Sequence, residues 1–257
     1  MSEYTPQMAA AMEWIWGPGF LSPGGREEVA AIIEGLDLGG KTVLDIGAGV
    51  GGGDIALVED HSAGHVIGTD VDAGLLAQAA RLVDEAGLAN RITMQLIEPG
   101  PLPFADSTFG VVYSKDAIIH VVDKAALYAE IMRVLVPGGA LAISDWLFDA
   151  ADPVSPETRE WLDKGGLTFQ LETADNVRSM LDAAGFTGIS LRDRNAWYRE
   201  VIQQGEIART TGDNFDGLVE LVGREMAEHR RDSSARKQDV VNAGVLRPTH
   251  FRATKPV

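Results

Sequence analysis

The sequence predicts an α/β fold: a doubly wound, mostly parallel sheet with helices on both faces. Three observations predict it. Five short runs rich in β-branched residues recur at regular separations, amphipathic helical patterns lie between them, and a glycine cluster follows directly on the first run. At 257 residues the chain is long for one small domain and short for two, so a single domain with an appended cap is expected.

Taken in order, the runs are KTVLDIG (41–47), HVIGTD (65–70), RITMQLIE (91–98), FGVVYS (109–114) and GALAISDW (139–146). Each reads as a buried strand. Helices are expected at DIALVEDH after the glycines, at DAGLLAQAARLVDEAG with Gly87 as a stop, and at DKAALYAEIMRVLVPGG, closed by Pro137 and Gly138. From about 147 to 172 the rhythm breaks, as for an insertion that caps the site after the fifth strand. TADNVRSMLDAAGF then gives a further capped helix and TGISLRDR a further strand. The tail from 195 is helical and polar and ends in THFRATK, expected as an edge strand. In such sheets ligands bind beyond the carboxyl ends of the strands, so the residues that follow each strand are the first candidates for function.

Composition narrows the classes. No apolar stretch approaches the roughly 20 residues that cross a bilayer, and MSEYTPQMAA has no basic segment leading into an apolar one. Neither membrane insertion nor secretion is expected, and a cytoplasmic location is the default. The chain has no cysteine, which excludes disulfides, thiolate catalysis and Cys-ligated metals, and no metal site is expected. Net charge is −16, with the acidic excess carried by residues 1–223 and a net basic segment from 224 on. An acidic body repels phosphate backbones, so nucleic acid is not an expected partner and a small cationic substrate is favoured. The plainer account of the same charge is a solvated surface.

VLDIGAGVGGGD carries a strand into a glycine cluster and then a helix, a geometry that brings backbone N–H groups close to a ligand. Gly47, Gly49 and Gly52 also satisfy the dinucleotide pattern G-x-G-x-x-G, and Asp70, closing the second strand, suits a ribose hydroxyl in either case. Asp45 separates the readings: two residues ahead of the first glycine, a carboxylate would repel a pyrophosphate and attract an ammonium. The set formed by VLDIGAG, the acidic residue closing strand two, LPFADSTFGVVYS and VLVPGGALAIS resembles the Rossmann-like class I methyltransferases over about residues 40–146. That resemblance implies S-adenosylmethionine as cofactor and S-adenosylhomocysteine as product. It implies Asp45, Gly47 and Gly49 at the methionine end, Asp70 on the ribose, Val71 against adenine and Glu98 at the adenine amine.

In VVYSKDAIIHVVDK, Asp116 and His120 stand four apart just past the fourth strand. On a helix that spacing puts carboxylate and imidazole on one face, where the first orients the second and a nucleophile could lose its proton. Spacing alone leaves open that His120 is a core histidine and Asp116 a helix cap. YTPQMAAAMEWIWGPGFLSPGG (4–25), the triple glycine and YSKDAIIH together resemble the phosphoethanolamine N-methyltransferase family, with weaker likeness through ISDW and LDAAGF to FRATK. The resemblance implies that Tyr4 and His120 form a catalytic pair, that Asp116 contacts the amine, and that Leu21, Ser22 and Lys115, the last in place of the family's arginine, touch the cofactor. It also implies a division into an N-terminal helical lid (1–38) and a methyltransferase domain (39–257).

The chain departs from that family after strand five. EWLDKGGLT keeps an aromatic at Trp161 but has Gly165 and Leu167 where the family places an arginine and a tyrosine that grip phosphate. Arg224, Arg230, Arg231, Arg236 and Lys237 are the cations the C-terminal region offers instead. Trp14, Trp16, Trp146, Trp161 and Trp197 fall near the expected site, where an aromatic cage would suit methylated ammonium groups; Trp14 and Trp16 equally suit packing of a helix. The expectation is an S-adenosylmethionine-dependent N-methyltransferase acting on a small, cationic amine, phosphoethanolamine-like or already methylated. A small-molecule O- or C-methyltransferase is the alternative.

Overall fold

Period-two alternation in the first strand sets up the whole molecule. In the computed structural model, which describes residues 4–149, 156, 158, 160 and 169–257, Val43 and Leu44 are both fully buried and point to opposite faces of the sheet. Strands β1 (Thr42–Ile46), β2 (His65–Asp70), β3 (Ile92–Leu96), β4 (Phe109–Lys115) and β5 (Leu135–Phe148) pair in parallel, with the short β6 (Glu172–Thr173) on the end of β5. Strands β7 (Thr187–Asp193) and β8 (Leu246–Thr254) complete the order β3-β2-β1-β4-β5-β8-β7. The order reverses between β1 and β4, which opens the crevice where ligands bind in this topology.

Two expectations about strands are corrected. THFRATK is no edge: β8 lies between β5 and β7, antiparallel to both, and pairs with β5 from Leu246↔Phe148 to Thr254↔Ala140. Its nearly unbroken burial, with Phe251 wholly inside, is what a strand with two neighbours requires. The helix before β5 stops at Val134 rather than at Pro137 and Gly138, because Leu135 already pairs with Phe109; proline and glycine fall at an irregularity in the register between Phe109 and Val111.

Helices cover both faces. Helices α3 (Gly52–Glu59) and α4 (Ala73–Glu85) flank β1–β3 on one side, while α5 (Lys124–Val134) and α6 (Ala174–Ala183) pack Tyr128, Ile131 and Leu181 on the other. Asp72 caps α4 by accepting from the Gly74 and Leu75 N–H groups, and Thr173 caps α6. At the N-terminus α1 (Pro6–Trp16) is capped by Thr5, and α2 (Gly25–Ile32) joins the core with Val29 and Ile32. The tail forms α7 (Asn195–Val201), continues through a π-helical segment Ile202–Ile207 and Ala208–Thr210, and ends in α8 (Asp213–Val222) and α9 (Arg224–Asn242). Helix α1 packs on α8 and α9 around Ala11, Leu218 and Ala227. The expected cap insertion lies largely outside the described residues, and Trp161, Gly165 and Leu167 lie wholly outside them. Among the described residues no helix is long and apolar enough to cross a membrane.

Candidate active site

Strand β1 delivers Asp45 and the glycine loop to the crevice. Asp45 is 3% exposed, and its Oδ1 has no hydrogen-bond partner. Gly53 faces it: a Cβ there would stand 3.6 Å from Asp45 Oδ2. A buried, unsatisfied carboxylate oxygen beside side-chain-free backbone fits a ligand that brings an ammonium group. Burial first, then the charges of Asp54 and Asp70, raises the Asp45 carboxyl well above its ordinary range, and the Lys115 ammonium opposes them. Asp70 closes β2 and holds the loop, its Oδ2 accepting from Gly49 N–H at 2.9 Å and its Oδ1 from Asp72 N–H at 2.9 Å. Val71, next along, is 59% exposed, and Glu98 is exposed past the end of β3.

The N-terminal segment reaches this loop through backbone. Gly52 N–H donates to Gly19 C=O at 3.0 Å, and a Cβ on Gly52 would overlap that oxygen, so only glycine allows the approach. Glu13 on α1 fixes the geometry, accepting from Gly19 N–H at 2.8 Å and from Gln78 Nε2 at 2.6 Å. Tyr4 and Leu21 then pack on Ala9, Val50 and Leu75 over the glycine loop.

The connection after β4 corrects the helical reading of Asp116 and His120. Asp116 has φ +56°, in the left-handed region, and only Ile118–His120 forms a single 3-10 turn, so the two residues do not share a helix face. The left-handed step lets Ala117 close on Gly47, where a Cβ would overlap it. What brings the groups together is tertiary. Asp116 N–H donates to Ser144 C=O at 2.8 Å, Ser144 Oγ donates to Asp116 Oδ1 at 3.0 Å, and Lys115 Nζ lies 3.2 Å from Asp116 Oδ2 while also donating to Ser22 Oγ. The His120 ring meets Tyr4 edge-on, with centroids 6.4 Å apart, and lies 5.4 Å from Phe169.

Sequence reasoning missed the groups beneath this turn. Asp145, 1% exposed, accepts from Ile119 N–H at 3.1 Å, and Lys124, 4% exposed, donates to the carbonyls of Ile118 and Val121 at 2.6 and 2.8 Å. Burial, with the charge of Asp116, pushes the Asp145 carboxyl up to about 8, and Lys124 opposes the rise. It also missed Asp54 and the fully buried Tyr113 hydroxyl, neither of which finds, among the described residues, a hydrogen-bond partner on another residue for its side-chain oxygens. The signal for Asp54 was present as the acidic residue that ends GVGGGD. The tryptophans scatter. Trp14 packs on Gly217 and donates from Nε1 to Arg209 C=O, Trp16 lies by Gly205, and Trp197 covers Gly24 with the Arg194 guanidinium 4.3 Å from its ring centre. Trp146 shares a buried cluster with Ile119 and meets Tyr198 edge-on at 4.7 Å, and Trp197 packs against the same cluster with its ring centre 6.1 Å from that of Tyr198.

Residues 44–143 match the family model described as a methyltransferase domain. They span the glycine loop, Asp70 and the Asp116 turn. These residues form a methyltransferase domain, and the fold is that of the class I S-adenosylmethionine-dependent methyltransferases. The chain is 33% identical over 193 residues to phosphoethanolamine N-methyltransferase 1 of Arabidopsis thaliana, covering 75% of this chain and 38% of that protein. It spans less than half the length of the plant relatives it matches. It is 25% identical to the phosphoethanolamine N-methyltransferase of Plasmodium falciparum over 99% of its own length and 94% of that relative. Its fold superposes with a TM-score of 0.91, at 24% identity, on phosphoethanolamine N-methyltransferase 2 of Haemonchus contortus solved with phosphomonomethylethanolamine and S-adenosylhomocysteine, covering 100% of this chain and 59% of that one.

Proposed function

We propose that the methyltransferase N-methylates a small amine that carries an anionic end, a phosphoethanolamine-like acceptor, with Tyr4 and His120 managing the proton and Asp116 steering the ammonium. One observation carries the reading: the Asp116 carboxylate, fixed by Ser144 and Lys115, stands one turn from a His120 ring that Tyr4 meets edge-on above the glycine loop. The sequence relatives named as phosphoethanolamine N-methyltransferases support the choice of acceptor class.

The cofactor supplies an electrophilic methyl group on sulfur. Asp45, with Gly47 and Gly49, is assigned to its methionine end, Asp70 to its ribose, Val71 and Glu98 to its adenine, and Leu21, Ser22 and Lys115 to the side closed by the N-terminal segment. Asp116 draws a cationic amine to the end of β4. An amine attacks only when unprotonated, so His120, oriented against Tyr4, accepts the proton; a positioned base of this kind contributes about 10²- to 10⁴-fold, and alignment and exclusion of water supply the rest. Of the aromatic residues, Trp146 is assigned to the acceptor side, on the strength of its cluster with Ile119 and Tyr198. The acidic composition supports an acceptor other than nucleic acid, and the cytoplasm is the default location in this reading.

The test is S-adenosylhomocysteine production across ethanolamine, phosphoethanolamine, their methylated forms and other small amines, repeated with His120→Ala. The variant is expected to lose about 10²-fold or more in kcat on the best acceptor. Undiminished turnover would remove His120 from the mechanism while leaving the cofactor site intact.

A further inference from the structure

Beyond Trp146 the C-terminal helix α9 buries two cations on one face. Lys237 is 7% exposed and is taken by Glu206, whose carboxylate is 0% exposed and accepts from Lys237 Nζ at 2.8 and 3.0 Å and from Ser234 Oγ at 2.8 Å. Glu206 belongs to the π-helical segment, a distortion that recurs at functional sites. Arg230 is 4% exposed, its Nε has no hydrogen-bond partner, and among the described residues no carboxylate pairs with it. The Tyr198 hydroxyl, fully buried, also lacks a partner. A buried guanidinium with no carboxylate beside it and a nitrogen left unpaired is costly unless an anion arrives to meet it.

These groups lie near Trp146 and Asp116, on the acceptor side of the proposed reaction. The Lys237 ammonium lies 5.5 Å from the Trp146 ring centre, Trp146 packs on Tyr198, and the Asp116 carboxylate lies within electrostatic reach of both Tyr198 and Lys237. We propose that Arg230 and Tyr198 receive the oxyanion end of the acceptor, and that Glu206, by occupying Lys237, limits that end to a single negative charge. Lys237, Arg230 and Glu206 together carry one net positive charge. A singly charged oxyanion neutralises it, whereas a dianion leaves one uncompensated negative charge among buried groups. A carboxylate meets this condition at any neutral pH; a phosphate monoester meets it only as its monoanion, below a second pKa of about 6.

The inference rests on the N-methylation reading, and phosphocholine separates the two because its quaternary ammonium does not titrate. Calorimetry on the full chain saturated with S-adenosylhomocysteine is expected to give a phosphocholine Kd that rises about tenfold per pH unit above about 6. In Glu206→Gln the cluster gains a charge and the rise flattens. In Arg230→Met affinity falls at least about tenfold at every pH, and Arg230→Lys recovers part of it; S-adenosylhomocysteine affinity stays at the wild-type value in all three and reports their folding. A wild-type Kd that is flat or falls with rising pH overturns the single-charge limit. Wild-type affinity in Arg230→Met, or no binding at any pH, overturns the site. Should no amine be methylated while phosphocholine follows the expected pattern, the reaction is misread and the site stands. Amine turnover with Arg230→Met indistinguishable from wild type has the opposite meaning.

Discussion

Asp54 sits where a charge is least welcome. It is 0% exposed on the first turn of α3, behind the glycine loop, and a Cβ on Gly68 would come within contact distance of its Oδ1. Burial, with the charge of Asp70, pushes its carboxyl from 3.8 up to about 8. The folded chain therefore holds a proton that the unfolded chain gives up near pH 4. By linkage this contribution to stability is complete below about pH 4 and is lost as pH rises through about 8. Melting temperature in the absence of ligand should fall between about pH 4 and 8, and Asp54→Asn, which cannot ionise, should flatten the fall and be the more stable form at the alkaline end. Asp145 titrates in the same range, so part of the slope remains in the variant. Parallel curves for the two proteins, recorded by scanning fluorimetry, would show that Asp54 is ionised throughout.

At the scale of elements, the turn between β4 and α5 is the piece on which the chemistry depends. Asp116 pays its left-handed backbone back through Ser144, while Asp145 and Lys124 brace Ile118, Ile119 and Val121 from below. Removing the brace without touching the site should therefore lower kcat more than it weakens ligands. Lys124→Met deletes both of the ammonium's hydrogen bonds to the turn, and a displacement of about 1 Å in His120 costs on the order of 10²-fold. The expected result is a loss of kcat of about 10- to 100-fold with S-adenosylhomocysteine affinity unchanged, and Lys124→Arg should recover part of it. An equal loss in both quantities would mean that the damage is general. The same turn marks how far the sequence could be read. Strands β1 to β5 and helices α3 to α6 were legible because periodicity and capping are local signals, as at Val43 and Leu44 or at Asp72. The conformation of Asp116 was not, since Ala117 meeting Gly47 and Asp145 meeting Ile119 are contacts between residues far apart in sequence. The same holds for β8, whose interior place depends on β7, and for Trp14, whose partners are on α8. Tyr4, Asp116 and His120 were named from a motif, whereas Arg230 had no motif and needed its neighbours to be seen unpaired.

For the whole molecule the question is which part of the N-terminal segment can move. Helix α2 is tied to the far end of the chain: Glu28, 3% exposed, lies 2.6 Å from His250 Nε2 and 2.6 Å from an Arg194 nitrogen, while Arg192 donates to His250 Nδ1 and so leaves the proton on Nε2. Burial alone would raise the Glu28 carboxyl, but His250 and Arg194 hold it below its ordinary value. Arg192 and Arg252 also donate to the Ala31 and Ile32 carbonyls at the end of α2. Helix α1 and the residues ahead of it have lighter attachments, chiefly Glu13 to Gly19 and Gln78, Trp14 to Arg209, and a small apolar cluster with α8 and α9. If 1–38 acts as a lid, its moving part is then Tyr4 to Trp16, with Gly17 at φ +97° as the break, and α2 is anchored core. Native-state hydrogen exchange tests this: α2 amides should be protected with or without ligand, and α1 amides should slow by about tenfold or more once S-adenosylhomocysteine and phosphocholine are both bound. If α1 and α2 gained protection in step, the whole N-terminal segment would close as one body, and the buried Glu28 cluster would have to open and re-form in every catalytic cycle.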